Sequence, residues 1–391
     1  MTRIDSIRNT PVFWVSILVC APLFTLSAQK PAQSVGPVAG PEGVESIQEL
    51  SPMVGWVSSK HRLFWTSDAG AHWSSITPAT KPRQNISAVF FLDVNRGWVL
   101  LSYPRGEETE FEIASTIDAG GHWSIEHLDV PDPSPDVGLS GDAWIDFADP
   151  MHGWVIVRMS TSTATSWGVL IATQDGGKTW KPRGQPPAAG ALRFVTPQMG
   201  WLADDDSGAL YGTDDAGVHW REASVKGPSD TNATYDLPTF RDSRHGLLPV
   251  LFEGPNSTTR TLFASSDGGR SWNVRGQVAQ GRAATAPDAM IDSTWIGAAA
   301  MPDHGLTVET VAVNNMLNAS IAGNIGNTSI SNVQGISFST ERTGWVAVGL
   351  ANCMSIGGRA CVELLSTTDG GGNWVNITPQ ELKTRTVPTE R

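Results

Sequence analysis

Cysteine is scarce in this chain, with three among 391 residues, and tyrosine is as rare. So few thiols exclude a disulfide-dense scaffold and a multi-cysteine zinc module. Charged residues make up only 17% of the chain, which disfavours long helices laced with ion pairs and makes all-α the least favoured class. Positive charge is the scarcer sign: 27 Lys and Arg stand against 39 Asp and Glu, a formal net charge of −12. Phosphate backbones and anionic lipid repel such a surface, which removes nucleic acid from the possible partners. Long apolar runs are missing, except for one near the start at residues 12–26. At 15 residues, and interrupted by Pro22, it falls short of the roughly 20 needed to span a bilayer.

Arg3 and Arg8 precede that run, and Ser27 and Ala28 follow it. This is the layout of a secretory signal peptide over 1–28, which predicts an exported chain with no membrane span after cleavage. Cys20 lies in the run, but Ile17, Leu18 and Val19 put bulky residues where a lipobox carries Gly or Ala. Residues 29–43 hold Pro31, Pro37 and Pro41 without hydrophobic period and read as a linker. A polar tail occupies 381–391. Once Cys20 leaves with the signal, Cys353 and Cys361 remain, and an even pair in an exported chain predicts a disulfide.

What is abundant is glycine (40), proline (25) and tryptophan (16), the material of turns and short strands. Their arrangement is periodic. Thr/Ser-x-Asp-x-Gly-x-x-Trp occurs at 66–73, 116–123, 173–180, 213–220, 265–272 and 367–374, where chance would supply about 0.1 copies of even its Asp-x-Gly-x-x-Trp core. The repeated aspartates are Asp68, Asp118, Asp175, Asp215, Asp267 and Asp369, at intervals of 40 to 57 residues and one double interval of 102. A second marker fills the gap: Gly-Trp or its equivalent at Trp56, Trp98, Trp154, Trp201, Leu247, Trp295 and Trp345. In five units a Phe stands seven residues earlier, at Phe91, Phe147, Phe194, Phe240 and Phe338.

Seven units of this length, each with several short β-branched and aromatic runs, predict an all-β fold: a single seven-bladed β-propeller of four-stranded antiparallel blades over 44–380. One degenerate blade, about 285–330, has lost its box. In unit two the strands are expected at 87–91, 97–102, 111–117 and 123–128. The box then falls on the hairpin between strands three and four. There the Asp accepts bonds from turn amides, Gly takes positive φ and Trp folds back between sheets. Unit one starts its own inner strand near Val44 and unit seven ends near Thr378, which allows the ring to close by packing alone.

These residues resemble the Asp-box, or BNR, repeats of sialidases, sortilin-type receptors, xyloglucanase-type glycosidases and the exported photosystem II assembly and stability factors. With Arg96-Gly97-Trp98 and Thr343-Gly344-Trp345 beside the boxes, the chain is most similar to the last group and its bacterial relatives. The resemblance implies a non-catalytic propeller that binds a protein partner through loops on the face away from the boxes, with no cofactor. It identifies scaffold more than site.

Most of the tryptophans belong to that scaffold. Trp144 and Trp167 lie outside the repeat, one on the inner strand of blade three and the other at the end of a polar loop. With Tyr103 and Arg105 they are the residues the sequence offers to a ligand. A glycan-binding or glycoside hydrolase reading is the alternative, with Trp144 and Trp167 as a platform, or with loop acids such as Glu107, Glu110, Asp142, Asp236 and Glu253 pairing across the ring. No arginine triad or Tyr-Glu pair of the sialidase kind is legible. The histidines lack the paired spacing of a zinc site. Asp204, Asp205 and Asp206 read as a solvated acidic turn, because no calcium loop with a terminal Glu follows, and no metal is expected.

Overall fold

The computed structural model describes residues 43–79, 81, 84–105, 108–131, 137–161, 167–351 and 361–382. They build seven antiparallel sheets, which run along the chain at 46–75, 85–128, 137–184, 192–222, 232–280, 288–323 and 330–376. Each is a meander of four strands, and in the fifth blade the inner strand is split into Asn232–Tyr235 and Thr239–Phe240. The fold is the seven-bladed β-propeller expected from the repeat. Among the described residues no helix is long and apolar enough to cross a membrane. The expected signal peptide, nearly all of the linker, Glu107 and the tail beyond Leu382 lie outside the described residues. So does Cys353, while Cys361 is disulfide-bonded.

The second strand of a blade has a sheet on each side, so both of its faces are apolar: Trp98, Val99, Leu100 and Leu101 are all buried. Outer strands meet water on one side and end the sheet. They are mostly short and polar, as at Ser74–Ser75, Lys181–Gly184 and Arg221–Glu222, which blunts the exposed edges.

The packing explains the Phe and Gly-Trp markers together. Each marker Phe ring covers the Gly that opens strand two of its own blade, and a Cβ on Gly97, Gly153 or Gly344 would lie 2.5, 2.4 or 2.3 Å from the ring. Only glycine fits there. The other side of the ring meets the preceding or following blade: Trp98 stacks on Phe147 at 3.6 Å and Trp154 on Phe194 at 3.5 Å. The same indoles donate to the box turn of the next blade, Trp98 Nε1 to the Gly176 carbonyl at 2.9 Å and Trp154 Nε1 to that of Ala216 at 3.2 Å. Box and strand-two Trp therefore form one clasp between neighbouring blades.

Inside the box the turn closes on itself. Asp118 Oδ1 accepts from the Thr116 hydroxyl and the His122 amide at 2.8 Å each, and the Thr116 hydroxyl accepts from the Gly120 amide at 2.9 Å. These bonds to His122 and Thr116 hold the Asp118 carboxyl down at about 2.

The ring closes without a shared strand. Blade one uses only the N-terminal strands and blade seven only the C-terminal ones, joined by an apolar cluster that includes Ile47, Phe64, Trp345 and Ile377. Trp73 Nε1 donates to the Ile377 carbonyl at 2.7 Å, the Glu49 amide to Ser337 Oγ at 2.9 Å, and the Ser339 amide to Glu49 Oε2 at 2.9 Å. Blade six keeps four strands although its box is gone. Trp295 is fully buried on strand two, and Met316, at the hairpin where a box would stand, packs against the cluster shared with blade five.

Candidate functional site

A four-stranded meander places its first and third turns on one face of the ring, and its second turn and the inter-blade link on the other. The boxes occupy third turns, so the second turns and links form the opposite face. A cavity of about 540 Å³ opens there, walled by blades four, five and six, with Gln334 of blade seven reaching in.

The break in blade five's inner strand creates its floor. Pro238 has no amide to donate, so the ladder to the second strand stops after Tyr235 and resumes at Thr239. The segment between them turns Asp236 toward the cavity. Arg193, buried on blade four, donates to the freed Pro238 carbonyl at 3.3 Å.

Arg260 is the centre of the charge arrangement. Its side chain is 6% exposed, against 14% for Asp288 and 35% for Asp236. Nε donates to the Ala284 carbonyl at 2.8 Å, while Nη1 bonds Asp236 and reaches Asp288 Oδ1 at 3.4 Å. The second oxygen of Asp288 accepts from the Trp295 indole. Burial pushes Asp236 up to about 7, with the neighbouring Asp288 carboxylate adding to the rise and Arg260 opposing it. At the rim, Asp205 and Asp206 pair with Arg158 of blade three at 2.8 and 3.2 Å. Asp204 folds onto its own turn, accepting from the Ser207 hydroxyl and the Asp206 amide. Two acceptors remain unmatched: Thr239 Oγ1 and Gln334 Oε1 are buried without a hydrogen-bond partner.

The residues singled out from sequence lie elsewhere. Trp144 is half-buried beneath the Arg158 guanidinium, 5.3 Å from the ring centre, one contact removed from the rim. Trp167 opens the third strand of blade three opposite Met159. Tyr103, on blade two, donates to Glu110 and accepts from Lys81 Nζ at 3.2 Å, while Lys81 also pairs with Glu112. Arg105 closes the same strand opposite Glu108. Trp144, Trp167 and Tyr103 do not line the cavity. Of the loop acids within the described residues only Asp236 does, and Arg260 joins it to Asp288, which sequence reading passed over, as it did Arg193. Pro238 within an expected inner strand was the local signal that could have found the floor.

No family model matches the chain. The sequence is similar to the photosystem II assembly lipoprotein Ycf48 of Synechococcus sp. (strain CC9902), with 30% identity over 218 residues, 54% of either chain. The chain thus spans about half the length of the curated relative it matches. Among solved structures, YCF48 bound to D1 peptide is 15% identical, covering 93% of this chain and 91% of that one at a TM-score of 0.38. A prolyl endopeptidase covers 89% of this chain and 48% of its own at 10% identity and a TM-score of 0.52, a likeness of fold alone.

Proposed function

We propose that this chain is an exported, non-catalytic propeller that binds a segment of a protein partner at the cavity opposite its Asp-boxes, and acts in assembly. The observation that carries the reading is the cavity itself, a polar recess built by residues of four blades on the face with the variable turns. Its volume suits one or two side chains of a bound segment. Similarity to a photosystem II assembly factor supports a protein as the occupant, and Ycf48 has been captured with a D1 peptide. Partner identity is not carried over with it.

The hydrolase reading has one feature in its favour, a pair of cavity carboxylates with one held near neutrality. Arg260 Nη1 bonds both and occupies the space where a glycosidic oxygen would have to sit between acid and nucleophile. A glycan platform at Trp144 is likewise covered by Arg158.

A photo-crosslinking amino acid at Ser207, on the cavity rim, is expected to capture a discrete protein in the exported fraction, and one at Ile117, an exposed box position, is not. Capture only from Ile117 overturns the choice of face. Edman sequencing of the exported chain is expected to start at Gln29, and a retained N-terminus overturns the signal reading.

A further inference from the structure

One outer edge of the ring is built unlike the other six. Ser74–Ser75, Arg221–Glu222 and Val375–Asn376 are two residues long. Lys181–Gly184 carries two cations and a proline, Ser124–Leu128 carries Glu126 and His127, and Asn273–Gln280 slips register twice. Each is a device that keeps a sheet edge from pairing with another chain. Blade six, which has lost its box, has none of them. Its outer strand Leu317–Gly323 pairs residue for residue with Leu306–Ala312, without charge, proline or register break, and among the described residues it has no second neighbour strand. Leu317 is 66% exposed, and Asn318, Ala319 and Ser320 are exposed beside it. Blade seven fixes the far end, where the Asn324 amide donates to the Gly372 carbonyl at 2.9 Å and the Asn324 carbonyl accepts from the Trp374 amide at 3.1 Å.

The surroundings of this edge say what pairs with it. No charged residue or histidine occurs from Thr310 to Thr340, nor from Gly370 to Gln380, and the bonds at Asn324 join those two stretches into one neutral flank. Glu309, beside Ser320 on the next strand, and Arg275, bonded to the Val313 carbonyl, border the edge without lying on it. A net charge of −12 makes two copies repel each other, and this flank is where they meet without like charges in contact. The strand is also complementary to itself. In an antiparallel pairing centred on Ala319, Leu317 stands opposite Ile321, Asn318 opposite Ser320 and Ala319 opposite its own copy, so apolar side chains meet on one side of the pair and polar ones on the other. We infer that the outer strand of blade six is a pairing edge for a second copy of this chain, giving a two-fold dimer in which two four-stranded blades become one continuous sheet. So short a seam is small beside a standard interface, and the dimer is reversible. It lies on the outer rim of the ring and does not depend on what the cavity binds.

Sedimentation velocity on the full mature chain, from about 1 to about 200 μM, is expected to show a monomer–dimer equilibrium with half-association on the order of 10–100 μM. Association is expected to tighten from about 0.05 M to about 0.5 M salt, because screening weakens the net repulsion and there is no ion pair across the seam to lose. Hydrogen exchange of the amides of residues 317–321 is expected to slow as concentration rises, while that of Ser74 and Ser75 stays the same. Ala319→Lys puts two ammonium groups opposite each other and Ala319→Glu two carboxylates. Each variant alone is expected to stay monomeric and their equimolar mixture to dimerise, which also shows that both fold. Ser75→Lys, on the outer strand of blade one, is expected to leave the dimer as it is. A monomer at every concentration and salt overturns the inference, as does a dimer that persists in Ala319→Lys or one that loosens with salt. A mixture that stays monomeric overturns the pairing about Ala319.

Discussion

Within an Asp-box the hydroxyl, rather than the carboxylate, is the buried member. Thr173 is 2% exposed; its Oγ1 donates to Asp175 Oδ1 at 2.8 Å and accepts from the Gly177 amide at 3.0 Å. Valine at 173 has nearly the same shape and neither bond, and it leaves the Gly177 amide without an acceptor inside the clasp between blades two and three. Thr173→Val is therefore expected to cost about 1–3 kcal/mol in urea unfolding. Thr173→Ser, the residue that the box at 265 already uses, is expected to cost well under half as much. A Thr173→Ser loss as large as that of Thr173→Val would mean that the methyl group matters as much as the two hydroxyl bonds. The carboxylate works at the surface of the same turn, where Asp175 accepts from both the amide and hydroxyl of Thr179 at 2.9 and 2.6 Å. Its conformational role explains why six such acids need no substrate.

At the scale of the blade, stacking and the indole hydrogen bond are separable. Trp154 stacks on Phe194 and donates to the Ala216 carbonyl. Trp154→Phe keeps much of the stack and is expected to lose about 0.5–1.5 kcal/mol for the bond, plus a smaller packing loss. Phe194→Ala empties a ring site 1% exposed and is expected to lose about 3–5 kcal/mol. Urea midpoints of the two variants check the order, and a larger loss for Trp154→Phe would make the hydrogen bond the dominant clasp. This blade-to-blade clasp is also what the sequence announced. Box, Gly-Trp and Phe recur because each blade repeats the same local contact, and Trp295 preserved the count where the box had decayed. The cavity does not repeat. Arg193, Asp236, Arg260, Asp288 and Gln334 come together from four successive blades at positions that do not recur from blade to blade, and no spacing along the chain encodes that. Trp144 and Trp167 stood out for lying outside the repeat, which made them conspicuous without placing them at the recess.

For the molecule as a whole, carboxyl groups shifted in opposite directions set where the ring is most stable. Six turn acids, Asp68, Asp118, Asp175, Asp215, Asp242 and Asp369, are held down at about 2 by hydrogen bonds from turn amides and side chains. Their contribution is complete above the ordinary value of 3.8 and disappears as pH falls toward 2. Glu45 and Glu49 move the other way, raised by burial from 4.5 to about 7, and Asp236 joins them from 3.8. The folded ring binds these protons more tightly than the unfolded chain, so their contribution is complete below about 4 and is lost as pH climbs through 7. Stability is expected to peak near pH 4 to 5 and to fall toward pH 8, where net negative charge also grows. Glu49 sits at the seam between blades one and seven, fully buried, and its Oε1 has no hydrogen-bond partner. Glu49→Gln supplies a neutral acceptor for the Ser339 amide at every pH. The variant is expected to match the unaltered chain at pH 4.5 and to exceed it at pH 8 by on the order of 3 kcal/mol, read from urea unfolding at the two pH values. A variant that is weaker at both would mean that Glu49 holds the seam as a carboxylate, and the alkaline loss would then belong to Asp236 and Glu45 alone.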